Sequence, residues 1–276
     1  MSAHDIDEDM ADAPPRSGRG IRRVTTRVAL VALLVALLPT VVAKTPLRDW
    51  AVRQATADLN GRVTVSQARF GWFGGQSLGD VAVYGADDQQ VARIKTVSLD
   101  DGLLKLILNR SQLGAVRIER PELHVVVGKD FTNIERLLQD MVDVDEEAEV
   151  REAEGPQFAL QLEIVDGRID LEDTINRESW TIDQVNATCT VGGAAAGDVN
   201  LKLTALVPSG AEPGTLRLAL AQGPQADAAK SGGVEMRVVT ERLPLGIVGA
   251  ALSRVTPGFH LTGSGAADVT CAWNYA

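Results

Sequence analysis

Apolar residues recur along this chain with three different spacings. From Val28 to Ala43 no residue is charged, and the run LVALLVALLP continues into Thr40, Val41, Val42 and Ala43. Beyond it, Thr45 is placed to cap and Pro46 to begin a helix carrying Leu47, Trp50, Ala51, Ala55 and Leu59 at helical spacing, which Asn60 and Gly61 stop. The period then falls to two: Val63 and Val65, Val81 and Val83, Val97 and Leu99, Val116 and Ile118, then Leu123, Val125 and Val127. These predict successive antiparallel strands, with turns at GWFGG (Gly71 to Gly75) and GADD (Gly85 to Asp88). The Leu-rich stretch GLLKLILNR from Gly102 predicts one or two helical turns laid across the sheet, the alternative being another strand. From Asn133 to Gly155 the sequence turns helical and strongly acidic, as a helix running into a solvated linker.

The second half repeats the period of two. FALQLEIVDGRIDLED alternates on both sides of Asp166 and Gly167, a pair that tolerates the positive φ of a two-residue turn, and predicts a β-hairpin. Further alternating stretches follow: WTIDQVNATCTV, DVNLKLTALV, TLRLALAQ and GVEMRVVT. A short helix is predicted at PLGIVGAALSRV and a last strand at GSGAADVTCAWNYA. The last strand carries no cap, so the sheet is expected to find partners in further chain, because a bare edge invites aggregation. The fold class predicted is mainly β with short helices, an N-terminal transmembrane helix leading into a curved antiparallel sheet.

The uncharged run, extended to Val24–Ala43, reaches the ~20 residues that span a bilayer. Arg27 lies near one end, where its guanidinium reaches the interface. Leu and Val at about −0.3 to −0.6 kcal/mol each favour insertion by a few kcal/mol. Arg16, Arg19, Arg22, Arg23 and Arg27 crowd the N-terminal flank, which places that flank in the cytoplasm and Lys44 onward outside it. A cleaved signal peptide, read from the small Val41 and Ala43 before Lys44, is the competing interpretation. A buried helix of a soluble domain would leave the arginine cluster unexplained. The first residues, MSAHDIDEDMADAPP, predict a short disordered tail.

A formal charge of −10 and a pI near 4.9 argue against a nucleic-acid partner, which needs clustered Lys and Arg. His4, His124 and His260 are isolated, no HExxH or Ser/His/Asp arrangement appears, and the pairs Asp87–Asp88 and Asp100–Asp101 sit at predicted turns. No phosphate loop, cofactor motif or metal-ligand spacing is present, so no enzyme is predicted and no cofactor is expected. Cys189 and Cys271 each sit in strand-like sequence and are expected to be small buried hydrophobes, a disulfide between them being the alternative. NRS at Asn109 and NAT at Asn186 match glycosylation acceptors, which matter only in a eukaryotic secretory setting.

A strand set with one apolar face must cover it with helices, a second sheet or acyl chains. The residues expected to line such a groove are Val63, Val65, Val81, Val83, Val116, Ile118, Leu123 and Val125.

The order of these features resembles the N-terminal region of AsmA-like and TamB-like cell-envelope proteins. It is carried by LGDVAVYGADDQQVARIKTVSLDDGLLKLILNRSQLGAVRIERPELHVVVGKDFTNIERLL, and by the spaced hydrophobes, Gly and Asp at Leu162 to Asp173 and Leu243 to Gly263. The resemblance covers Val24 to the end. It implies a single-pass inner-membrane protein with a cytoplasmic N-terminus and its bulk in the periplasm, whose groove moves phospholipid between membranes. The partners implied are membrane, phospholipid and other envelope proteins, the last engaged through the sheet edge if the chain is instead a scaffold. The organisation expected is a tail (1–23), a membrane helix (24–43), a first β module (44–139), an acidic linker (140–156) and a second β module (157–276). The exported part is shorter than a periplasm is wide, so bridging is expected only within a longer protein or an assembly.

Overall fold

The period-two stretches become strands β1 (Gly61–Arg69), β2 (Gln76–Gly85), β3 (Gln90–Leu99), β4 (Gln112–Val127) and β5 (Ala159–Asp173). They continue as β6 (Glu178–Val191), β7 (Val199–Val207), β8 (Gly214–Gly223), β9 (Gly233–Pro244) and β10 (Ser264–Asn274). The structure, a computed structural model, describes residues 33, 36–109, 112–142, 159–192, 198–208, 212–223, 233–253 and 261–274. All ten strands lie in one curved, open sheet in chain order. The helices are α1 (Leu47–Ala55), α2 (Leu103–Leu108), α3 (Asn133–Val142) and α4 (Leu245–Ser253).

The expected tail lies outside the described residues, as does most of the linker. Of the expected membrane helix only residues 33 and 36–43 are described. They are helical, and among the described residues no helix is long and apolar enough to cross a membrane.

Every neighbouring pair of strands is antiparallel except β4 with β5, which run parallel. A parallel partner requires the chain to return to the end where β4 began, and the stretch from Gly128 to Phe158 does this. The expected β modules thus share one sheet. The crossover begins with a capping box: Thr132 Oγ1 accepts from Glu135 N at 3.1 Å while Glu135 Oε2 accepts from Thr132 N at 2.6 Å. Asn133 ties α3 to β4, accepting from Val126 N at 2.9 Å and donating to His124 O at 2.7 Å.

Four local expectations are corrected. Asp166 and Gly167 do not turn a hairpin, because both lie inside the 15-residue strand β5. Asp166 does take the positive φ that its sequence allows, at 55°, but the chain continues straight on because β4 on one side and β6 on the other hold both halves. Thr45 does not cap α1, whose N-cap is Pro46, and the buried Thr45 hydroxyl has no partner. α1 also stops at Ala55, short of Leu59, where Thr56 Oγ1 and N both donate to Val52 O. α2 is a helix, as expected, but it does not lie across the sheet. It joins β3 to β4 at one end, where Leu103 N and Leu104 N donate to Gly71 O and Trp72 O at 3.0 and 3.1 Å.

The correction at Asp166 belongs to a wider pattern. Asp80 in β2, Arg120 in β4, Asp166 in β5, Gln184 in β6 and Arg242 in β9 all have φ between 48° and 55° although none is glycine. A left-handed residue interrupts the pleat, so the alternation of side chains resumes one step out of phase. In each of β2, β4, β5 and β6 the apolar residues change phase across that residue: Leu78 to Val81, Ile118 to Pro121, Ile164 to Gly167, Ile182 to Val185; β1 and β3 change phase alongside their neighbours, Val65 to Ala68 and Ile94 to Val97, without a left-handed residue of their own. Without the interruption these strands would put their two halves on opposite faces. Gln184→Val, which forces a β-branched side chain into this conformation, should lower stability by about 1–2 kcal/mol. Gln184→Gly should not, a difference read from urea unfolding midpoints.

Candidate functional site

Register gives the apolar face its content. One row of directly paired residues crosses the whole sheet: Ala68, Leu78, Val97, Ile118, Ile164, Ala187, Leu203, Leu218, Val238 and Val269. One residue comes from each strand and none is polar. Beside it runs a second row from Leu99 through Val116, Leu162, Cys189, Leu201, Leu220 and Met236 to Cys271. Beyond the line of left-handed residues a third links Val63, Val83, Ala92, Leu123, Ile169 and Ile182.

Five of the eight residues named from the sequence stand in these rows, and Val65, Val81 and Val125 stand next to them on β1, β2 and β4, Val65 and Val81 being buried. Val63 pairs with Val83 and Val65 with Val81, while Leu123 sits in the third row and Val125 beside it, opposite Leu171. Ile118 and Val116 belong to the first two rows. The sequence reading stopped at β4 and so missed the contribution of β5 to β9, where Leu162, Leu201, Leu203, Leu218 and Leu220 carry the same alternation. The phase change at Asp166, read there as a turn, was the signal obscuring it.

Among the described residues little covers this face, although Val65, Val81 and Ala187 are buried. Leu201, Leu203, Leu218, Leu220, Met236 and Val238 lie on interior strands yet are only half-buried. The helices sit elsewhere. α1 lies along the outer edge of β1, with Arg48 Nη1 donating to Ser66 O at 3.0 Å. α3 packs on β2 and β4, burying Leu137 with Val91. Val91 neighbours Ala92 and therefore points away from the rows. Of the described helices, α4 reaches the apolar face, at the end opposite α2. A Cβ on its Gly246 would come within 2.5 Å of Trp180 Cζ2, although α4 follows β9 and Trp180 belongs to β6. β7, between them, buries Ala205 and Val207 at this end. α4 thus roofs one end of a trough that is open along most of its length.

The other face is polar. A row from Ser77 through Ser98, Arg117, Glu163, Thr188, Lys202, Ala219 and Arg237 to Thr270 alternates with the first two. Arg117 bridges Glu163 at 2.7 Å and Glu119 at 3.0 Å, and Arg237 grips Asp268 through two nitrogens at 3.0 and 2.7 Å. His124 Nε2 lies 3.7 Å from Glu172 on this side. Cys189 and Cys271 occupy one row on strands four steps apart, roughly 19 Å at the usual strand spacing. That separation excludes the disulfide within one chain, and neither cysteine is buried as expected, Cys189 being half-buried and Cys271 exposed.

No family model and no curated protein matches the chain.

Asp170 lies on the polar face beyond Asp166 and is held below the usual carboxylate range, chiefly by the hydrogen bond from Arg168 and secondarily by that from Thr181 Oγ1 at 2.8 Å, against partial burial. A lowered folded-state pKa contributes stability that is present above the unfolded value, about 3.9, and is lost as pH falls through the folded one. Arg168→Ala should therefore flatten the fall in unfolding midpoint between about pH 5 and pH 2, where Asp titrates. An unchanged acid limb would refute this assignment.

Proposed function

We propose that the chain is a membrane-anchored, non-catalytic lipid carrier of the AsmA-like type, in which acyl chains lie in the trough above the apolar rows. The observation that carries this reading is the ten-residue apolar row on a face left mostly uncovered. Isolated surface hydrophobes are ordinary, but a contiguous apolar patch of this extent marks a binding site. Nine strand gaps of ~4.8 Å give the row a contour of roughly 43 Å. Each methylene seated there gains about 0.8 kcal/mol. The row runs from the β1 edge, beside which α1 lies, to the β10 edge, so lipid would travel across the strands. The segment expected to be the anchor, Val24–Ala43, with its arginine flank, would hold the N-terminus in the cytoplasm and the sheet in the periplasm.

A second reading is favoured by the β10 edge, which has no strand partner among the described residues and exposes half of Val269 and Trp273. A scaffold would use this edge to add a partner's strand.

The full chain, purified and incubated with phospholipid vesicles, should carry phospholipid away with it. Leu218→Lys places a charge in the trough, costing about 3 kcal/mol in a hydrocarbon setting, or about a hundredfold in retention. Arg217→Glu, one residue away on the opposite face, should leave retention unchanged. Bound lipid should also slow maleimide modification of Cys271. Equal retention by both variants, or none by the parent chain, would remove the carrier reading and leave the scaffold.

A further inference from the structure

The end of the sheet opposite α4 carries a feature that the trough does not explain. The Gly71–Gly75 loop and α2 stand side by side there and expose Phe73 at 87%, Leu108 at 76%, Ile107 at 54% and Leu104 at 39%. These side chains are not on a loose loop. The buried carboxamide of Gln76 accepts from Gly71 N at 3.0 Å and donates to Gly71 O at 2.8 Å, Gly74 O at 2.9 Å and Asp101 O at 3.3 Å. α2 is fastened to the loop by the two backbone bonds to Gly71 and Trp72. At Gly102 a Cβ would lie 2.5 Å from Trp72 O, so the close approach of the two segments requires glycine. A buried polar side chain and a glycine contact hold four large apolar side chains out in water.

We infer that this tip inserts into the surface of the bilayer in which the chain is anchored, setting the trough at a fixed height and tilt above the lipid. The inference rests on the membrane reading of Val24–Ala43. Ala43, the last residue of the apolar run, precedes Arg48 by five residues across the turn at Thr45 and Pro46, at most about 17 Å of chain. Arg48 is bonded to Ser66, which lies about 10 Å along β1 from Arg69, where the tip loop begins. The chain therefore emerges from the apolar run within reach of the tip. Trp72 is of the type that settles at the headgroup level, and Phe73 with the leucines is of the type that interfacial segments bury at the acyl boundary. The charges beside them cancel in part: Lys105 Nζ bridges Asp101 at 2.7 Å. The occupant is thus an apolar layer, and salt should matter little.

The full chain, with Cys189 and Cys271 replaced by Ser, is reconstituted in phosphatidylcholine vesicles and labelled with an environment-sensitive fluorophore at one introduced cysteine. The sites are Phe73→Cys and Leu108→Cys in the tip, Leu37→Cys in the apolar run, and Asp88→Cys at the far end of the sheet. Emission at 73 and 108 should shift to the blue and be quenched by spin-labelled lipid, with no change at 88 and no reversal in high salt. A quenched label at 37 beside a water-exposed one at 73 overturns the tip and spares the anchor. Water exposure at both overturns both, and quenching at 88 equal to that at 73 shows a sheet lying flat, which also overturns it.

Discussion

The constraint on which this structure depends is the two-residue period of the β-strand. A strand that alternates strictly keeps one set of side chains on one face for as long as it runs. Strands of up to 16 residues in a curved sheet must bend, and here they bend at a line of left-handed residues crossing β2, β4, β5 and β6, with a further such residue in β9. Each such residue disturbs the pleat by one step. The sequence compensates with a matching change of phase in its apolar positions. The result is one face that is apolar from β1 to β10 and another that carries the Arg–Glu and Arg–Asp pairs.

A sheet of this kind gains its stability from ladders and cross-strand neighbours rather than from a second layer. That explains why completely buried side chains are so few among the described residues, Val207 and Asp173 being the largest. Asp173 is tolerated because it caps the turn into β6, accepting from Ile175 N, Asn176 N and Asn176 Nδ2. The half-burial of the Leu residues on β7 and β8 has the same origin. An apolar face that the described residues cover only in part, with α4 over one end, is the physical basis for reading the trough as a place for lipid.

The two sheet edges are handled differently. α1 runs along β1, and Arg48 occupies a carbonyl that another strand would otherwise seek. β10 has no such guard among the described residues. Among the described residues the β1 edge is thus guarded and the β10 edge is not. The same polarity orders the remaining features, with the apolar tip beside β1 to β4 and the α4 roof over β6 to β9.

The sequence determined most of the elements. Alternation placed the strands, the glycines and acidic turns separated β1 from β2 and β2 from β3, and the spacing of PLGIVGAALSRV gave α4. It also determined that an apolar face exists, because Val63, Val65, Val81 and Val83 have no other way to stand. It did not determine what Asp166 and Gly167 do. A positive φ serves equally to reverse a chain or to re-phase a strand, and the choice depends on whether neighbours hold both halves in line. Those neighbours, β4 and β6, are set by the crossover that brings β5 parallel to β4, a contact between distant segments that no local pattern encodes. The same holds for the face itself: the sequence says which residues seek cover, and only the tertiary arrangement decides that α2 stays at the end of the sheet, α4 roofs one end and most of the rows remain open.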